Sequence, residues 1–80
     1  MDSVLIDINH RLHSQSPSEI KDGVKDLKII LKTNKKDYFQ SIAHQFIPRV
    51  LYLIDSHHNY KVVRESIIFL AKVASFGKLN

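Results

Sequence analysis

Cysteine and tryptophan are absent from these 80 residues, and glycine and proline occur only twice each. Without thiols, neither a disulfide framework nor a thiolate metal site can staple the chain, and nothing marks an oxidising compartment. With only Gly23 and Gly77 present, there is no Gly-rich loop to cradle a phosphate. Each apolar run is broken by Lys, Arg, Asp or His short of the roughly 18 residues that a membrane-spanning helix needs. Met1-Asp2-Ser3 lacks the basic region of a secretory signal. These absences predict a cytoplasmic or nuclear chain with no membrane segment and no cofactor. Strand patterns and domain linkers are missing as well, which leaves at most one small domain with a thin core.

What is present is helical periodicity. Val4, Leu5, Ile8 and Leu12 recur on one stripe behind Asp2 or Ser3 as cap, predicting a first helix to about His13. The second helix has the clearest start. In Ser16-Pro17-Ser18-Glu19, Ser16 can accept from the Glu19 amide, Glu19 can reach back, and Pro17 suits the first helical position. Ile20, Val24, Leu27, Ile30 and Leu31 follow on one face. Gly23 costs that helix about 1 kcal/mol relative to alanine, which points to close approach by a neighbouring helix.

Thr33-Asn34 breaks the pattern before a third helix, which starts near Lys36 and carries Tyr38, Phe39, Ile42, Phe46, Val50, Leu53 and Ile54. Pro48 removes a backbone bond inside it and predicts a kink or a split near His44 to Ile47. After the turn Ser56-His57-His58-Asn59-Tyr60, a fourth helix carries Val62, Val63, Ile67, Leu70, Val73 and Ala74. Ile68 and Phe69 widen its apolar face, and Gly77 can act as a left-handed stop. The predicted fold class is all-α: four helices in two antiparallel hairpins.

The chain also overlays on itself. A shift of 42 places Val4, Leu5, Ile8 and Leu12 on Phe46, Ile47, Val50 and Ile54. A shift of 43 places Ile20, Val24, Leu27 and Ile30 on Val63, Ile67, Leu70 and Val73, and every pair is apolar on apolar. The period lies within the roughly 40 to 47 residues of HEAT and armadillo units. Three features of the second unit carry the likeness: Pro48 within its first helix, Asp55 at that helix's end, and Val63-Arg64 opening the next helix. On these residues the second unit resembles a HEAT repeat. The first unit, with no proline near Leu5, Leu12 or His13 in place of the aspartate and Lys21 in place of the arginine, resembles a weaker copy. The resemblance implies a single domain of two stacked repeats, 1–33 and 34–80, belonging to a longer solenoid. It also implies a structural Asp–Arg ladder and a scaffold that holds other macromolecules. Two repeats leave a side uncovered, so dimerisation or further repeats are expected.

Twelve Lys and Arg against eight Asp and Glu give a net charge of +4. Lys21, Lys25, Lys28, Lys32, Lys35 and Lys36 fall between Ser18 and Tyr38. Glu19, Asp22, Asp26 and Asp37 are interleaved among them, so one reading is a solvated face whose charges offset one another. The other is an electrostatic surface, best developed at Lys28, Lys32, Lys35 and Lys36, for acidic protein segments or nucleic acid. Arg64 and Lys72 join it if the second helix of each unit lines an inner face.

Catalytic patterns are not found. His10 and His13 at i, i+3 and the adjacent His57-His58 lack further ligands, and Asp22 and Asp26 at i, i+4 have lysines nearby. The functional expectation is a non-catalytic protein scaffold with neither metal nor cofactor. The alternative is a nucleic-acid-binding module in which the lysines meet phosphates and Tyr38, Phe39 or Tyr60 stack on bases.

Overall fold

The computed structural model describes the backbone of residues 3–33, 36–56 and 59–78, and the side chains of 3–32, 45–56 and 59–75. Its helices are α1 (Ser3–Leu12), α2 (Pro17–Thr33), α3 (Lys36–Ser56) and α4 (Tyr60–Lys78), and the described residues contain no strand. α1 and α2 form one antiparallel hairpin and α3 and α4 the next; the two hairpins stack mainly through α2 against α4. The envelope of 34 × 26 × 18 Å is two helices thick at about 10 Å each.

Local chemistry sets the helix ends. α1 closes with i→i+3 bonds, His13 N to His10 O at 3.2 Å and Ser14 N to Arg11 O at 3.1 Å. Arg49 of α3 donates from Nε to the Leu12 carbonyl at 3.2 Å, so a cation serves an orphan acceptor at the negative end of α1. At the start of α2, the Ser16 carbonyl accepts from Ile20 at 3.1 Å. The Ser16 amide donates to Ser14 Oγ at 3.0 Å, where the sequence predicts Glu19. α4 is capped by Asn59, whose Oδ1 accepts from the Lys61 and Val62 amides at 3.0 and 3.2 Å.

The split allowed for at Pro48 does not occur, and α4 does not stop at Gly77. α3 runs unbroken through Pro48, whose ring faces solvent, where water can serve the carbonyl it leaves unpaired. α4 continues past Gly77 to Lys78, and no described glycine has positive φ. A glycine permits a left-handed stop without imposing one. The expected cap Asp2 and the expected core side chains Tyr38, Phe39 and Ile42 lie outside the described residues.

The core consists of Leu5, Ile8 and Leu12 from α1, Ile20, Val24, Leu27 and Leu31 from α2, Phe46, Val50 and Leu53 from α3, and Val62 and Phe69 from α4. Gly23 is where α1 crosses α2: a Cβ there would lie 3.2 Å from Leu12 Cδ2 and 3.4 Å from Arg11 Cβ. The close approach expected of this glycine is thus made by its own hairpin partner.

Burial corrects the self-overlay in both halves. Val4, paired in sequence with the buried Phe46, is 52% exposed. In α4, Val63 is half-buried, Ala74 is exposed and Ile67 is 51% exposed, while Val62, Ser66 and Phe69 are fully buried. The second helices therefore superpose at a shift of 42, with Ile20, Val24, Leu27 and Leu31 on Val62, Ser66, Phe69 and Val73. One residue of shift rotates a helix by about 100°. Ser66 conceals the true register because it reads as polar, yet its hydroxyl donates to the Val62 carbonyl at 2.8 Å and so costs little inside the core.

Candidate functional site

The seam between α2 and α4 gathers most of the cations that the sequence singles out. Three hollows run along it. The first is lined by Pro17, Ser18, Lys21, Asn59 and Lys61, the second by Lys21, Lys25, Lys61, Arg64 and Glu65, and the third by Lys25, Lys28, Ile29, Lys32 and Lys72. Consecutive hollows share Lys21, Lys61 and Lys25, so they form one groove with local volumes of about 370, 190 and 250 Å³. From Lys21 to Lys32 it extends about 17 Å at 1.5 Å per residue.

Helical geometry explains the gathering. Lys21, Lys25, Lys28 and Lys32 follow one another by four, three and four residues and share one stripe of α2. Lys61, Arg64 and Lys72 approach from α4. Seven cations thus face one carboxylate, Glu65. Ile29, 57% exposed, stands among the lysines of the third hollow as an aliphatic island.

Among the described residues, the acids interleaved in the sequence lie on a different face of α2 from the lysines. Asp26 turns to the α1 side, where Arg11 Nη2 reaches it at 2.5 Å and Asp7 at 3.1 Å. The hydrogen bond that Arg11 donates to Asp26, opposed by partial burial and aided by the charges of Asp26 and Asp7, raises the Arg11 pKa above its ordinary value. Asp22, one turn before Asp26, belongs to the same stripe. The mutual offset of acids and lysines along α2 is therefore largely dissolved by the fold.

Glu65 forms an ion pair with Lys28, and both side chains are mostly buried, at 15% and 17% exposure. This pair links the two hairpins across the seam. The hydrogen bond from Lys28 lowers the Glu65 pKa, the positive charges of Lys28, Lys25 and Arg64 push it the same way, and burial opposes them. A depressed carboxylate adds stability that is present above its ordinary value near 4.5 and is lost as pH falls through the lower folded value. Melting temperature is accordingly expected to drop with acidification in that range. Glu65→Gln should flatten the dependence; an unchanged acid limb in that variant would show that the pair does not supply it.

The remaining expected residues are placed differently. The side chains of Lys35 and Lys36, and His57 and His58 altogether, lie outside the described residues. His10 and His13 line a separate hollow of about 380 Å³ with Asn9, Ser14 and Glu19. There the His13 Nδ1 lies 2.8 Å from the Asn9 carbonyl. Among the described residues no three of His, Cys, Asp and Glu come together as metal ligands. No described helix is long and apolar enough to cross a membrane. Among the described residues no ion pair joins Asp55 to Arg64; the ionic link between hairpins is Lys28–Glu65.

Two participants were missed in the sequence. Lys61 stands at the first turn of α4, and the Asn59 cap that orients that turn was the available signal. Arg49, which bridges α3 to the end of α1 and lies 4.6 Å above the Tyr52 ring, has no sequence signal of its own. No family model matches the chain, and neither a curated protein nor a solved structure matches it.

Proposed function

We propose that this chain is a non-catalytic protein-interaction scaffold of the HEAT type that holds an acidic segment of a partner protein in the α2/α4 groove. The observation that carries the reading is the continuous groove in which seven cations surround one carboxylate and the exposed Ile29. Solenoids present extended surfaces built from successive repeats, and a groove lined by α2 and α4, the second helix of each hairpin, supports that reading. A groove about 17 Å long accepts about five residues of extended chain. Glutamates or aspartates meet the lysines, and an aliphatic side chain rests on Ile29. On this reading the chain works in the cytoplasm or nucleus, as two repeats of a longer array.

Ile29 favours a peptide over single-stranded nucleic acid, for which the apolar contact is an aromatic platform. The exposed Tyr60 lines a different hollow, with Val63, Arg64, Ile67 and Ile68. The test is fluorescence anisotropy with a Glu/Leu peptide and a DNA oligonucleotide of equal charge, each titrated over a salt series. Tighter binding of the peptide at physiological salt, weakened when its leucines become serines, is the expected result. Tighter binding of the DNA, with a steep salt slope from counterion release, would replace this reading by the nucleic-acid one.

A further inference from the structure

We infer that Glu65 selects among acidic segments, admitting to the groove those with acids toward both ends and an uncharged hydrogen-bond donor between them, a specificity that rests on the acidic-segment reading above. Glu65 lines only the second of the three hollows. That hollow lies between the others, because it shares Lys21 and Lys61 with the first and Lys25 with the third, and at about 190 Å³ it is the smallest. A ligand running the length of the groove therefore passes Glu65 at its middle.

This glutamate is held in place. It is 15% exposed and bound to Lys28, itself 17% exposed, by the ion pair across the seam. Lys28 donates to Oε2, and among the described residues no hydrogen bond is made to Oε1, so one oxygen is left to accept from a ligand. The same hydrogen bond and the surrounding positive charges, which lower its pKa, keep it ionised at neutral pH.

The pair is also oriented. Its carboxylate lines the second hollow and not the third, and its ammonium the third and not the second. The lysines of the second hollow, Lys21, Lys25 and Lys61, also line the first or the third, where a ligand carboxylate meets cations and no acid. What the middle adds of its own is Arg64 and Glu65, chain neighbours of opposite charge. A central carboxylate thus gains little from Arg64 and is repelled by Glu65. A central amide instead donates to Oε1. Of the five extended residues that the groove accepts, the first and fifth lie about 13 Å apart, within the span from Lys21 to Lys32, and the third falls at Glu65.

The probes are the peptides Glu-Leu-Gln-Leu-Glu and Glu-Leu-Glu-Leu-Glu with both ends capped, compared on the whole chain by calorimetric titration at one salt concentration. Each reads the same in both directions, so the polarity of binding does not enter. Attraction to positive charge alone would favour the second peptide, which carries one more acid. The expected result is about threefold tighter binding of the glutamine-centred peptide by the native chain, an effect the size of one exposed charge pair. In Glu65→Gln, whose amide oxygen can still accept from Lys28, the order should reverse. Equal or tighter binding of the glutamate-centred peptide by the native chain overturns the inference and leaves the acidic-segment reading standing. The same ratio in a folded Glu65→Gln does so too. The native-chain comparison decides the matter even if that variant fails to fold. If neither peptide binds, the acidic-segment reading falls and this inference with it.

Discussion

Phe69→Ala is expected to be the most destabilising single change in α4. Phe69 is fully buried and is among the largest enclosed side chains of the core. Truncating a buried phenylalanine costs about 3–5 kcal/mol through lost burial and the cavity left behind. A chain of 80 residues has a total stability of about 4–12 kcal/mol at the usual 0.05–0.15 per residue. The variant should therefore keep at most about three quarters of that stability, and none at the low end of the range, so its melting temperature should fall sharply.

The contrast with its neighbours is the sharper part of the test. Ile67→Ala, two residues away, removes a side chain that is 51% exposed and should cost less than about 1 kcal/mol in the monomer. Leu70, half-buried against the core, should fall between them. Urea melts followed by circular dichroism, at concentrations dilute enough to keep the chain monomeric, give the order directly. Equal losses for Phe69→Ala and Ile67→Ala would mean that α4 is seated on the other face.

Reversing the groove's charge is expected to remove binding while leaving the fold in place. Lys25, Lys32 and Lys72 meet in the third hollow around Ile29, and Lys25 and Lys32 are exposed. Each exposed ion pair with a partner carboxylate contributes about 0.2–1 kcal/mol. Substitution by glutamate both removes the attraction and adds a comparable repulsion. Together Lys25→Glu, Lys32→Glu and Lys72→Glu should cost about 1–6 kcal/mol of binding, centred near a hundredfold weaker affinity for the acidic peptide. Lys28 is left unchanged because it holds Glu65 and so fastens the hairpins. The melting temperature of the triple variant should shift by only a few degrees. Undiminished peptide binding by that well-folded variant would remove the groove from the functional reading.

Several features were legible without the fold because their causes are local. The start of α2 follows from Ser16-Pro17, where a residue able to accept the first helical bond precedes a ring already set for the helix. The lysine stripe follows from the 3.6-residue turn alone, since spacings of four, three and four keep side chains on one face. Gly23 signalled a close approach because no local benefit offsets its cost in a helix; which neighbour approaches was settled only by the crossing of α1.

The rest was not legible, for equally definite reasons. α4 is apolar on more than one side, so the shift of 43 pairs apolar with apolar throughout, whereas the shift of 42 sets Val24 on the polar Ser66. The hydrophobic effect is non-directional and gives no local preference between such faces. The choice depends on the packing of the core, in which Phe69 is fully buried, and on whether Ser66 can be satisfied inside, which the Val62 carbonyl provides. Likewise Asp26 sits among lysines in sequence but answers Arg11, 15 residues away, and Lys28 answers Glu65, 37 residues away.

The sequence by itself determined the four helices and the rows of charge along them, because backbone hydrogen bonds and side-chain periodicity within a few residues suffice for these. Only the tertiary structure decided which face of α4 lies inside, which acids neutralise which bases, and that the lysines of α2 and the cations of α4 share one groove. Those outcomes depend on volumes and charges brought together across helices, and nothing local in the chain encodes them.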